Sequence, residues 1–158
     1  MQRFIDLMRE CIGEIHEIMP WDLAEWRDSG RDMLLLDVRE PNEFAAMHVP
    51  GSLNVPRGIV ESACEYDYEE TIPELVESRN RDVVVICRSG YRSILAAASL
   101  HRLGFEKVYS LKTGVRGWNE FEQPLVDAED RSVDIEDADE YFTVRLRPEQ
   151  MAPERRPK

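Results

Sequence analysis

Apolar positions along the chain follow two different rhythms. Near the start, Phe4, Leu7, Met8, Cys11, Ile12, Ile15 and Ile18 recur at three- and four-residue steps. This spacing predicts an amphipathic helix over residues 3–18 whose apolar stripe faces the rest of the protein, with Cys11 as a small core residue and His16 on the solvated side. Further on, Met33-Leu34-Leu35-Leu36 and Val83-Val84-Val85-Ile86 are unbroken apolar runs. Such runs are the mark of strands buried on both faces.

Between these runs the two rhythms alternate. A helix opens at Pro20 and closes at Gly30, with Trp21 and Trp26 as packing residues. A strand over 33–40 leads into a short helix from Pro41, and Val49-Pro50-Gly51 turns the chain. A short strand at 52–56 and helices near 59–64 and 72–78 precede the strand at 83–86. A helix over 92–103 closed by Gly104, a strand at 107–111 and a helix entered through Thr113-Gly114 follow. Short connections between alternating strands and helices through 33–122 predict an α/β fold, a mainly parallel sheet with helices on both faces. Ligands of such sheets sit beyond the carboxyl ends of the strands, which singles out the loop after Ile86.

Beyond Pro124 the pattern fades. Residues 127–140 hold eight carboxylates against one arginine and read as a solvated or disordered connection. Residues 141–146 alternate weakly, as an edge strand or a segment packed on the domain would; the proline- and arginine-containing end reads as a flexible tail, with folding of linker and tail onto the domain as the alternative. The chain thus divides into a helical extension (1–19), an α/β domain (20–123) and an acidic linker with tail (124–158).

Composition adds limits. The net charge of −12 argues against nucleic acid and against an anionic membrane surface as partners. Cys11, Cys64 and Cys87 are too few and too widely spaced for a disulfide framework or a zinc ligand set. No apolar run reads as a signal peptide or membrane span, so a reducing cytoplasm is the expected location. No metal or cofactor is called for.

The chemistry concentrates in Cys87-Arg88-Ser89-Gly90-Tyr91-Arg92-Ser93. A strand that ends and a helix that begins within a few residues leave backbone N–H groups converging on one space, to which the helix adds partial positive charge. An anion suits that space, and the first candidate is the thiolate of Cys87. Arg88 and Arg92 add guanidinium groups, Gly90 lets the loop fold back, and Ser89 and Ser93 offer hydroxyl donors. A persulfide on the sulfur would be held by the same donors. No histidine lies near in sequence, as a Cys-His hydrolase would want. Cys64 has two readings, an incidental buried cysteine or a resolving thiol for Cys87.

This loop resembles the active-site loop of the rhodanese sulfurtransferase family. Leu35-Leu36-Asp37-Val38-Arg39-Glu40-Pro41-Asn42-Glu43-Phe44 is similar to the family's first signature. His48-Val49-Pro50-Gly51-Ser52-Leu53-Asn54-Val55-Pro56 is similar to its second, and Leu103-Gly104-Phe105 with Gly114, Gly117 and Trp118 to its closing segment. Two positions depart from the pattern: Met47 stands where the family has Gly before the His, and Thr113-Gly114 replaces a Gly-Gly pair.

The resemblance implies a rhodanese-like, five-stranded, mainly parallel sheet. It also implies a sulfurtransferase that moves sulfane sulfur from thiosulfate or a similar donor, through a persulfide on Cys87, to a thiol or cyanide acceptor. Cys87 is then the nucleophile. The backbone of residues 88–93 (Arg88, Ser89, Gly90, Tyr91, Arg92, Ser93) is the cradle, with Arg92 and Arg88 on the donor anion. Asp37, Arg39 and His48 hold neighbouring loops, and Arg57 and Glu61 lie near the site. Alternatives are a persulfide carrier serving a sulfur-relay protein, or a non-catalytic docking module. A related phosphatase or arsenate reductase would need Cys, five residues, then Arg. That Arg would stand at 93, which is Ser93; here it falls one residue early, at Arg92.

Overall fold

The structure, a computed structural model, describes residues 1–157. Five strands, β1 (His16–Ile18), β2 (Met33–Asp37), β3 (Leu53–Asn54), β4 (Asp82–Ile86) and β5 (Val108–Leu111), form one sheet. Their order is β1-β5-β4-β2-β3, and every neighbouring pair is parallel. The expected parallel α/β sheet is present, and β4 is its central strand.

The unbroken apolar runs follow from helices covering both faces. Side chains alternate along a strand, so Leu34, Leu36, Val83 and Val85 join one core. Leu35, Val84 and Ile86 join the other. Helices α1 (Phe4–Ile12), α4 (Val60–Ala63), α5 (Pro73–Val76) and α6 (Tyr91–Arg102) supply the first core. Helices α2 (Pro20–Asp28), α7 (Gly114–Glu120) and α8 (Ile135–Phe142) supply the second. The short α3 (Pro41–Ala46) links β2 to the buried Met47. Helices α2, α3 and α5 each carry proline in the first turn, where its missing N–H has no intrahelical role. No helix among the described residues is long and apolar enough to cross a membrane.

Two expectations are corrected. The first helix ends at Ile12, with Gly13 as its C-cap, and residues 16–18 are the edge strand β1. Glycine costs a helix interior about 1 kcal/mol; pairing along β5, with His16 opposite Tyr109 and Ile18 opposite Leu111, captures the next residues. The apolar spacing continues across that break, so the stripe alone predicts a longer helix.

The acidic region is likewise structured, and residues 143–146 do not form a strand. Asp134 caps α8, its carboxylate accepting from the N–H groups of Glu136 and Asp137. Glu136 and Asp137 stand in the first turn, where the helix dipole favours them. Ala138 and Phe142 are buried in the second core, at 0% and 2% exposure. Asn119 of α7 donates to Asp139 at 2.7 Å. The segment leading to α8 is tied down as well: Val126 exchanges backbone hydrogen bonds with His48.

Phe142→Ala is therefore expected to cost about 3–4 kcal/mol, read as a lowered urea midpoint with an unchanged slope. An unaltered midpoint would mean that α8 is not part of the folded core.

Candidate functional site

Cys87 is the first residue beyond the central strand, and its loop spans residues 87–90 before α6 begins. The helix starts one residue earlier than the sequence suggests, with Gly90 as N-cap in the left-handed region at φ +89°. A Cβ at Gly90 would stand 2.9 Å from the backbone nitrogen of Thr113. Gly114 is tighter still, since its Cβ would lie 2.3 Å from the Cys87 carbonyl oxygen. That close approach lets the first turn of α7 serve the loop. Val115 N–H donates to the Cys87 carbonyl at 2.9 Å, and Arg116 N–H to the Arg88 carbonyl at 3.1 Å.

With its carbonyl fixed by α7, Cys87 presents its sulfur to the other side of the loop. The Gly90 N–H donates to Sγ at 3.1 Å, and the thiol donates to Ser93 Oγ at 3.4 Å. Ser110 of β5 donates to the same Ser93 oxygen at 2.8 Å. Because Ser93 accepts from Ser110, its own proton is free to turn toward an anionic sulfur. Cys87, Ser93 and Ser110 are essentially inaccessible to solvent. Ser110 lay outside the loop motif and was not singled out from sequence.

The two arginines of the loop are both engaged. Arg92 is gripped by Glu43 of α3 through two parallel hydrogen bonds of 2.8 and 2.7 Å. This pairing holds the Glu43 carboxyl below its ordinary value. Arg88 donates to the Phe142 carbonyl at the end of α8, at 3.0 Å, where helix carbonyls lack partners. Glu43 and the α8 terminus were invisible as site elements in the sequence, because each contact joins residues about fifty positions apart.

Asp37 and Arg39 lie at 0% exposure as a closed ion pair. Arg39 also reaches the Met47 carbonyl at 2.7 Å, which fixes the turn after α3 and so the helix that carries Glu43. His48 stacks on Phe44 at 3.7 Å and bonds its carbonyl through Nδ1 at 2.8 Å. Met47 has extended backbone, φ −168°, so nothing there calls for glycine. Thr113 does take the left-handed conformation, φ +69°, and Gly117 makes room for its side chain.

A cavity of about 240 Å³ borders the loop, lined by Cys87, Arg88, Ser89, Tyr91, Arg92 and, from α1, Phe4. The Tyr91 ring meets Phe4 edge-on, with centroids 6.3 Å apart. Arg57 and Glu61 are not in this lining. Glu61 is exposed beside Ser62 and Tyr68, and the Arg57 Nε is buried without a partner. Cys64 is free and buried, its thiol donating to the Glu61 carbonyl at 3.2 Å, and burial pushes its pKa up.

Gly114→Ala is expected to destabilise the fold by at least about 2 kcal/mol, while Gly58→Ala, which meets open space, leaves the melting temperature nearly unchanged. Equal melting curves for the two variants would contradict the clamp. The Glu43 pairing gives a pH prediction. Its depressed pKa means that its stabilisation is complete above the ordinary value near 4.5 and is lost as pH falls through the lower folded value. Below pH 4.5, Glu43→Gln should lose stability less steeply than the wild type. Parallel acid unfolding curves would count against the pairing.

A sequence profile described as "Rhodanese-like domain" matches residues 20–121. The chain is 33% identical over 107 residues to the probable adenylyltransferase/sulfurtransferase MoeZ of Mycobacterium tuberculosis, covering 68% of this chain but only 25% of that protein. It is 32% identical over 112 residues to a sulfurtransferase of Allochromatium vinosum, covering 71% of this chain and 95% of that one. Among solved structures, a Rhodopseudomonas palustris protein of unknown function, described as a possible tyrosine phosphatase, superposes with a TM-score of 0.72 at 25% identity. That match covers 78% of this chain and 93% of the other. The profile match, which runs from α2 through α7 and includes the Cys87 loop, together with the sulfurtransferase relatives, places the chain in the rhodanese-like domain family.

Proposed function

We propose that this protein is a sulfurtransferase whose Cys87 carries sulfane sulfur as a persulfide. The observation that carries the reading is the Cys87 sulfur itself, at the end of the central strand, with the Gly90 N–H 3.1 Å away. In the loading step the Cys87 thiolate attacks the outer sulfur of a donor such as thiosulfate. The S–S bond of the donor breaks and its electron pair leaves with sulfite. The terminal sulfur of the new persulfide bears the negative charge, which the amides of the loop and the Ser93 hydroxyl accommodate. In the unloading step cyanide or a thiolate attacks that terminal sulfur, and the electron pair of the broken bond returns to Cys87 Sγ.

Arg92, which keeps guanidinium donors beyond those given to Glu43, is the group we assign to the donor anion, with Arg88 held to one side by α8. Asp37 and Arg39 act through position, by holding α3. The three free cysteines suit a reducing compartment such as the cytoplasm. A phosphatase reading, raised by the description of the Rhodopseudomonas relative, finds less support, because the arginine follows the cysteine one residue too soon to close around a tetrahedral phosphoryl group.

Incubation with thiosulfate and cyanide is expected to yield thiocyanate, and thiosulfate alone to add the mass of one sulfur atom to the protein. Cys87→Ser should abolish both. No sulfur adduct from thiosulfate, mercaptopyruvate or an organic persulfide, together with hydrolysis of a phosphotyrosine substrate, would overturn the assignment.

A further inference from the structure

The N-terminal helix lies before the segment shared with the family, which begins at residue 20. Only Met8 and Cys11 of α1 are buried, while Phe4, Ile5, Leu7 and Ile12 remain 39–52% exposed. A helix that merely packed would hide its stripe. Instead, α1 and α6 enclose a second cavity of about 280 Å³, with Ile5, Met8, Ile12, Tyr91 and Ile94 as its apolar wall. Ser89 and Tyr91 also line the cavity at Cys87, so the two spaces share a wall at the reactive loop. Arg9, which also lies 3.8 Å from the Asp6 carboxylate, and Lys112 border the second space against one lining carboxylate, Glu17. Its volume sits at the lower edge of ligand pockets, which run from roughly 300 Å³ upward.

Resting on the sulfurtransferase reading, we propose that this annex binds the arm of the sulfur acceptor, a small linear aliphatic thiol with an anionic end. The arm lies against Ile5, Ile12 and Tyr91, and the two cations favour its charged end. Its thiolate reaches over Ser89 to the persulfide. The acceptor sulfur bonds to the terminal sulfur, the S–S bond to Cys87 breaks, and its electron pair stays on Sγ. The products are the acceptor persulfide and the Cys87 thiolate, with no net oxidation or reduction. Cyanide, having no arm, gains nothing from the annex.

The experiment uses the full chain loaded with sulfur from thiosulfate and a series of ω-mercaptocarboxylates of increasing length, with an ω-mercaptoalkanol matched to the longest. Catalytic efficiency is expected to rise roughly two- to fourfold per added methylene until the annex is filled, with the alcohol weaker than the acid of equal length. In Ile12→Ser, and separately in Ile5→Ser, the ratio of longest to shortest thiol should fall several-fold, a comparison internal to each variant. Thiocyanate formed from cyanide without any dependence on arm length would overturn the annex while leaving the sulfurtransferase reading intact. Absence of thiocyanate and of the sulfur adduct would instead overturn that reading. An alcohol equal to the acid would overturn the anionic end. A dimer in sedimentation that dissociates in Ile12→Ser would make a second copy the occupant and overturn the proposal.

Discussion

Two hydrogen bonds organise the end of the sheet that carries Cys87: the Cys87 and Arg88 carbonyls accept from the first-turn amides of α7 at 2.9 and 3.1 Å. A loop after a parallel strand would ordinarily leave those carbonyls to water. Here they satisfy α7 instead, and α7 can come so close only because Gly114 has no side chain. The consequence runs through the backbone. With its carbonyls turned toward α7, the loop sets Gly90 in the left-handed region and aims its N–H at the sulfur. Strand β4 fixes one end and the two helices fix the other, so the donors around Sγ are in place before any charge develops there. Donors fixed in that way need no reorganisation when negative charge develops beside them.

The charges near the loop support this view. Arg92 is paired with Glu43, Arg88 with a helix-end carbonyl, and Arg39 with Asp37. Cation and carboxylate offset each other at two of these three places, so the loop has much less positive character than its sequence suggests. The groups that bond the sulfur are neutral: the Gly90 amide and the Ser93 hydroxyl, itself linked to Ser110. The buried Asp37–Arg39 pair has a different task. Breaking such a pair leaves an uncompensated charge and costs about 3–5 kcal/mol, so it locks β2, the Met47 turn and α3 together, and through α3 it sets the position of Glu43 against Arg92.

What could be read from the sequence follows the range of the interactions. The strands expected over 33–40 and 83–86, and found at Met33–Asp37 and Asp82–Ile86, were legible because burial on both faces writes a continuous apolar run. The Cys87 loop was legible because its parts are neighbours in the chain. Ser110, Glu43 and the Phe142 carbonyl were not, since their partners lie 17, 49 and 54 residues away. β1 was hidden by apolar spacing that continues the stripe of α1 across Gly13. Helix α8 did carry a local signal, Asp134 as cap with Ile135, Ala138 and Phe142 at helical steps. Its density of carboxylates outweighed that signal, although three of them, Asp134, Glu136 and Asp137, stand at the helix N-terminus where they are favourable.

The Thr113-Gly114 pair shows how a departure from a pattern can be absorbed. A β-branched residue at φ +69° carries a backbone cost of roughly 1–3 kcal/mol, which glycine would avoid. The cost is tolerated because several neighbours over-determine the turn. Lys112 N–H bonds Ile18 across the sheet at 2.8 Å, and the Thr113 carbonyl accepts from Gly117 at 3.0 Å. Gly117 has no Cβ to meet the Thr113 hydroxyl, whose ideal position would be 1.7 Å away. The turn therefore keeps its shape with a larger residue in it, while Gly114, whose Cβ would collide with the Cys87 carbonyl itself, is left without an alternative.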